Sequence, residues 1–148
     1  MARYRDTIAS PRSAEEVFDY MATFSNVSEW DPTAAEAHPI DGNEAGIGAR
    51  FHVLVRWLGR EIPLEYTTTV YERPKRVVLR AENSSTISED TITVEPTSTG
   101  CEMTYEAQLT LKGVMRIIDP IFGLAFKRLG DNAAAGLRRD LAGGSEAS

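Results

Sequence analysis

The 148-residue chain is acidic, with 16 lysines and arginines against 22 aspartates and glutamates and a formal net charge of −6. Its isoelectric point near 5.0 is against a nucleic-acid-binding role, because nucleic-acid footprints are normally basic. No apolar run reaches the ~18 residues of a membrane span, and the N-terminus lacks the apolar segment of a signal peptide. The single cysteine, Cys101, has no partner for an internal disulfide. We therefore expect a cytoplasmic protein with one domain over residues 1–142 and a flexible polar tail over residues 143–148.

The first predicted elements are a strand and two short helices. Residues 3–9 form a strand pattern, which Ser10-Pro11 ends. The sequence Ser13–Glu16 matches the capping box of a helix start, so we expect a helix over 13–23 with one apolar face. A second short helix is predicted at 26–30, before Pro32 disfavours helical backbone.

Strand patterns dominate the middle of the chain. Alternation of apolar and polar residues predicts strands at 34–40, 50–58, 63–71, 76–82, 86–95 and 101–111. The turns between them are short, so neighbouring strands should pair as antiparallel hairpins. Within the third of these strands, Leu64, Tyr66, Thr68 and Val70 are predicted to share one face. The sequence shows no internal repeat, and its strands do not alternate with helices. We therefore do not expect a doubly wound parallel sheet.

The last segment, 113–141, is the one long helical pattern. Its apolar residues recur at helical spacing, and such a stripe needs a large apolar partner, which here is the sheet. A curved sheet around one helix often leaves a cavity for a small molecule. Asp119-Pro120 interrupts the pattern and predicts a kink or a restart after a first segment at 114–118. That joint either gates the cavity or is a simple bend.

The element order and its punctuating residues resemble the START/Bet v 1-like (SRPBCC) superfamily, and within it the bacterial polyketide cyclase/dehydrase and lipid-transport group. The resemblance covers about residues 3–141 and is carried by Ser10-Pro11, Glu16-Val17-Phe18, Trp30-Asp31-Pro32, Gly46 to Phe51, Tyr71 to Pro74 before Val77-Val78-Leu79, and Gly100. It implies an α+β helix-grip fold, in which a seven-stranded antiparallel sheet wraps around a long C-terminal helix. It also implies hydrophobic ligands, namely lipids, polyketides, isoprenoids or aromatic molecules, and fixes no reaction.

The candidate ligand-binding residues are those expected to face the cavity: Trp30, Phe51, Val53, Val55, Trp57, Leu64, Tyr66, Thr68, Asp90, Tyr105, Ile118 and Phe122. The apolar ones serve equally as core, and Trp30 is either a cavity wall or an anchor of the short helix. Asp90 shares a face with Ile92 and Val94. It is either a buried acid or base with a raised pKa, or a solvated carboxylate paired with an arginine.

Tyr66 and Tyr105 either donate hydrogen bonds to a ligand or are core tyrosines. Together with Asp90 they are the candidate catalytic residues. His38 and His52 lie on different predicted strands without further ligands nearby, so we expect no metal site and no cofactor. Gly46-x-Gly48 precedes a strand rather than a helix, which indicates a turn and not a phosphate loop.

Three functions remain open at this point. The first is binding or transport of a hydrophobic small molecule by a monomer or homodimer. The second is a polyketide cyclase, aromatase or dehydratase that uses the same cavity. The third is an interaction module, in which the basic residues of the last helix make transient contact with anionic lipids or belong to its solvated face; these are Lys127, Arg128, Arg138 and Arg139.

Overall fold

The computed structural model describes residues 2–42, 44–57, 59–113 and 119–142, with the backbone alone for Trp57 and for residues 119–124. The strands are β1 (Ala2–Ser10), β2 (Ala34–Pro39), β3 (Arg50–Trp57), β4 (Arg60–Glu72), β5 (Arg76–Glu82), β6 (Thr86–Thr97) and β7 (Gly100–Leu111). The helices are α1 (Ala14–Ala22), α2 (Val27–Trp30), which follows a 3-10 turn at Phe24–Asn26, and α3 (Asp119–Ala142).

The seven strands form one antiparallel sheet in the order β1-β7-β6-β5-β4-β3-β2. Hairpin connections place each strand from β2 to β7 beside its sequence neighbour. The first strand, β1, pairs with β7 and forms the edge of the sheet. This confirms the predicted α+β helix-grip architecture. Because side chains alternate along each strand, one face of the sheet, here called the inner face, carries the buried side chains.

Helix α1 covers the inner face in the way its sequence predicts. The Ser13 hydroxyl accepts a hydrogen bond from the Glu16 backbone N–H at 3.1 Å, which satisfies one free donor of the first turn. The apolar stripe is buried; its members are Ala14, Val17, Phe18 and Met21. The helix packs against β6 and β7, so it closes one end of the inner face.

Helix α3 lies along β1 and runs in the same direction. The Tyr4 hydroxyl donates to the Asp131 carboxylate at 3.0 Å, and the Ser10 hydroxyl donates to the Leu141 carbonyl at 2.7 Å. The first half of α3 therefore extends toward the end of the sheet where β1 begins. Pro120 lies in the first turn, where its missing N–H leaves no helical hydrogen bond unmade. The predicted segment 114–118 lies outside the described residues.

Two glycines allow this close approach. A Cβ atom at Gly130 would meet the ring of Tyr4 at 2.3 Å, and one at Gly136 would meet the Trp30 carbonyl oxygen at 2.0 Å. Both distances are shorter than any ordinary carbon contact. Helix α3 therefore contacts β1 at Gly130 and α2 at Gly136, two positions where it has no side chain.

One predicted alternation is wrong. A β-bulge between Thr68 and Val70 shifts the register of β4 against β5, so that Val70 pairs with Val78 and Tyr71 with Val77. The extra residue shifts the alternation, so the side chains that follow it point to the opposite face of the sheet. Consequently Tyr71, rather than Val70, turns toward the core, where its ring meets that of Phe18 with centroids 5.4 Å apart.

Candidate functional site

A group of polar side chains lies in the middle of the otherwise apolar inner face. We call it the inner polar cluster; it consists of Tyr66 and Thr68 from β4, Ser88 and Asp90 from β6, and Tyr105 from β7, all buried. Alternation places each pair on the same face of its strand, and pairing brings the three strands into one surface. Leu79 and Ala107 are the cross-strand partners of Asp90, so the carboxyl stands between two apolar side chains.

Asp90 is 6% exposed, which decides between the two interpretations of its sequence position. It lies in the middle of β6, away from the strand ends, and no described residue donates a hydrogen bond to its carboxyl group. Burial raises the pKa of Asp90 to about 8, with further contributions from the negative charges of Asp31 and Glu89. At neutral pH the group is therefore largely a neutral carboxylic acid, which can donate as well as accept a hydrogen bond.

The hydroxyl groups of the cluster differ in how they are satisfied. Tyr66 Oη and Ser88 Oγ share a hydrogen bond at 2.7 Å. The Thr68 hydroxyl is buried and has no hydrogen-bond partner among the described residues. An unpaired buried hydroxyl is unfavourable. Thr68 lies in the same row across the sheet as Asp90, because both residues pair with Leu79, which stands between them.

Burial also raises the pKa of both tyrosines, and the nearby carboxylates add to the effect. Tyr66 and Tyr105 therefore remain neutral hydroxyls. They can donate a hydrogen bond but do not supply a phenolate at ordinary pH.

A second carboxyl group approaches the cluster from the helical side. Asp31 directly follows α2, and its Oδ1 accepts hydrogen bonds from the backbone N–H and the hydroxyl of Thr33, at 2.9 and 2.8 Å. Burial raises its pKa, and these two hydrogen bonds oppose the rise. Asp31 acts electrostatically on Asp90, Tyr66 and Tyr105, so the cluster is an acidic site.

Aromatic rings surround the cluster. The ring of Trp30 meets that of Tyr105 edge-on, with centroids 5.3 Å apart. The ring of Phe24 lies 4.9 Å from Tyr66 and 6.1 Å from Phe51. These contacts give Trp30 and Phe51 a core role, which is one of the two interpretations of their sequence positions. That they also line a ligand site stays a prediction.

The remaining predicted ligand-binding residues fall in three groups. Val53 and Leu64 are buried on the inner face. Val55 is only partly buried, as are Ile62 and Leu109, and these three residues lie at the end of the sheet where β1 begins. Trp57 has a described backbone at the end of β3, and Phe122 one within α3. Ile118 lies outside the described residues.

Sequence reasoning missed two members of this site and the detail of a third. Phe24 lies in the 3-10 turn and carries no periodicity signal. Asp31 was recognised only as part of a punctuating motif, although an aspartate two residues before a threonine is a recurrent turn pattern. Ser88 lies two residues before Asp90 on the same face of β6, but its hydrogen bond to Tyr66 depends on strand pairing that a single sequence does not reveal.

The two histidines lie opposite each other on neighbouring strands. His38 and His52 are cross-strand partners on β2 and β3, and their rings stack with centroids 5.1 Å apart. Among the residues with described side chains, no cluster of three metal-ligating side chains is found. None of the described helices combines the length and the hydropathy that a membrane span requires.

Three of the four basic residues of α3 make ion pairs with described acids. Lys127 pairs with Asp131 at 3.2 Å, Arg138 with Asp6 at 2.7 Å, and Arg139 with Asp140 at 3.3 Å. Contact of this helix with anionic lipids stays a prediction, and such contact would compete with these pairs.

Comparison with known proteins agrees with this architecture. The family model described as polyketide cyclase/dehydrase and lipid transport matches residues 1–144. The chain belongs to this family, and its fold is that of the START/Bet v 1-like superfamily. No match was found among the curated proteins.

Solved structures show the same fold at low sequence identity. A START superfamily protein from Mycobacterium smegmatis aligns with a TM-score of 0.70 at 12% identity, over 95% of this chain and 97% of its own. A protein from Thermus thermophilus aligns with a TM-score of 0.74 at 11% identity, over 95% of each chain. The major latex-like protein 151 of Panax ginseng aligns with a TM-score of 0.65 at 8% identity, over 96% of this chain and 98% of its own.

Proposed function

We propose that this protein binds or carries a hydrophobic small molecule on the inner face, with the polar end of the ligand at the inner polar cluster. The observation that carries the proposal is the buried hydroxyl of Thr68, which has no hydrogen-bond partner among the described residues and lies in the same cross-strand row as the buried carboxyl of Asp90. Ligand sites are mostly apolar with a few polar groups that fix orientation, and this arrangement has that character. The family's name is consistent with such a role.

Native mass spectrometry tests the proposal. The protein is measured as purified and again after incubation with farnesol, menadione and a flavonoid, and each mass is compared with the denatured mass. We expect an added mass of one ligand that disappears on denaturation. A bare mass under all these conditions would contradict the proposal.

Two variants locate the bound molecule. Ala107→Phe adds a ring beside Asp90 and should abolish binding, provided that circular dichroism shows a folded protein. Thr68→Val keeps the shape of the side chain and removes only the hydroxyl, so it should weaken binding of an oxygen-containing ligand without blocking an apolar one. Equal binding by both variants and the wild type would place the ligand elsewhere.

The second candidate function is an enzyme of the cyclase or dehydratase type. It is favoured by the pKa of about 8 for Asp90, since an acid that titrates near neutral pH can transfer protons efficiently in either direction. Absence of turnover with polyketide-like substrates would count against this function, and turnover that survives both Asp90→Asn and Tyr105→Phe would show that these two residues are not the catalytic ones.

A further inference from the structure

The ionisable groups described in and around the inner polar cluster are all acidic. Asp90 is the central buried acid, and Asp31 approaches it from the end of α2. Tyr66 from β4 and Tyr105 from β7 face it as neutral hydroxyls, and Glu89 is its neighbour on β6. Among the described side chains, no lysine, arginine or histidine is found in this cluster.

One cation on the α3 side of the sheet is already paired with an acid. Arg138 of α3 lies near Tyr4 of β1 and influences its pKa. Its guanidinium group pairs with Asp6 at 2.7 Å and remains half-exposed. It is not among the groups that shift the pKa of Asp90, so this arginine does not offset the acidic character of the cluster.

The walls of the site suit a positive charge as well. The inner polar cluster is bordered by aromatic rings, because Trp30 packs against Tyr105 and Phe24 packs against Tyr66. Ring faces attract cations, most strongly where water is excluded. A carboxylate on a ligand would instead place a negative charge beside two buried acids and would disfavour the ionised form of each.

From this geometry we infer that the site selects hydrophobic molecules that end in a protonated amine, with the ammonium group between Asp90 and the aromatic rings. The inference rests on the proposed function, because it specifies the polar end of that ligand. The cation stabilises the ionised form of Asp90, so the proton on this carboxyl is released to solvent as the amine binds. One proton leaves and one ion pair forms for each bound ligand.

Three ligands with the same chain and different polar ends test the inference: octylamine, 1-octanol and octanoate, each titrated calorimetrically at pH 7. We expect octylamine to bind at least tenfold more tightly than octanol, and octanoate to bind most weakly. Titration in two buffers with different ionisation enthalpies should show release of about one proton with octylamine and none with octanol.

Asp90→Asn is the decisive variant. It should reduce the preference for octylamine over octanol to about one and abolish proton release, while retaining octanol binding. Glu95→Gln removes an exposed carboxylate from the same strand and should change neither quantity, which controls for attraction of amines to an acidic protein. Octanol or octanoate binding as tightly as octylamine would overturn the amine assignment and leave the proposed function intact. Binding of none of the three, together with a bare native mass, would overturn both.

Discussion

At the scale of single residues, Asp90 links burial to a pH-dependent stability. Its pKa is raised to about 8 in the folded protein, from about 4 in the unfolded chain. Between these values the folded state holds a proton that the unfolded state has lost, so the free energy of unfolding falls as the pH rises from about 4 to about 8. Asp31, whose pKa is also raised, acts in the same direction.

The variant Asp90→Asn should remove most of this dependence. We expect it to match the wild type near pH 4 and to exceed its stability by about 2 to 5 kcal/mol at pH 8, because the amide cannot ionise. Urea denaturation at several pH values measures this, with Glu95→Gln as the control that keeps the wild-type profile. Parallel profiles for the wild type and Asp90→Asn would show that Asp90 is not a buried acid.

The hydroxyl groups of Thr68 and Ser88 should respond in opposite directions. Thr68→Val removes a buried hydroxyl without a described partner and should stabilise the unliganded protein by about 1 kcal/mol. Ser88→Ala leaves Tyr66 without its 2.7 Å partner and should destabilise it by about 1 to 3 kcal/mol. Thermal denaturation of both variants checks the pair. A loss of stability in Thr68→Val would mean that its hydroxyl is already satisfied.

At the scale of elements, the contact between α3 and α2 depends on Gly136. Alanine is the better helix former by about 1 kcal/mol, yet a Cβ here would lie 2.0 Å from the Trp30 carbonyl oxygen. We therefore expect Gly136→Ala to destabilise the protein by about 1 to 3 kcal/mol. Asn132→Ala, on an exposed position of the same helix, should instead be neutral or slightly stabilising. A stabilised Gly136→Ala would show that α3 does not lie this close to α2.

The elements also show why some predictions succeeded. The helix 13–23 was predictable because its capping residues and apolar stripe are local signals, and alternation placed Phe51, Val53 and Tyr105 on the correct face. The bulge at Thr68 to Val70 was not predictable, since alternation continues through it and only pairing with β5 reveals the extra residue. For the same reason, nothing local indicated that His38 lies opposite His52.

At the scale of the whole molecule, the fold followed from the order of elements and their punctuation, and the family match confirms it. The chemistry of the site did not follow in the same way. Whether Asp90 is solvated or buried depends on the strands beside it and on the segment 24–31, which brings Phe24 against Tyr66 and places Asp31 close enough to act on Asp90. These are contacts between distant parts of the chain, which periodicity does not encode. The candidate residues were therefore predictable as a set, and their roles were not.

The inner face beside Asp90 is proposed to bind one hydrophobic molecule, and every functional prediction above depends on that binding. The measurement that tests it most directly is a fluorescence titration with the uncharged probe Nile red, using the wild type and the folded Ala107→Phe variant. We predict saturable binding of one probe per wild-type chain and at least a tenfold loss of affinity in the variant. Binding that does not saturate, or that is equal in both proteins, would contradict the proposal.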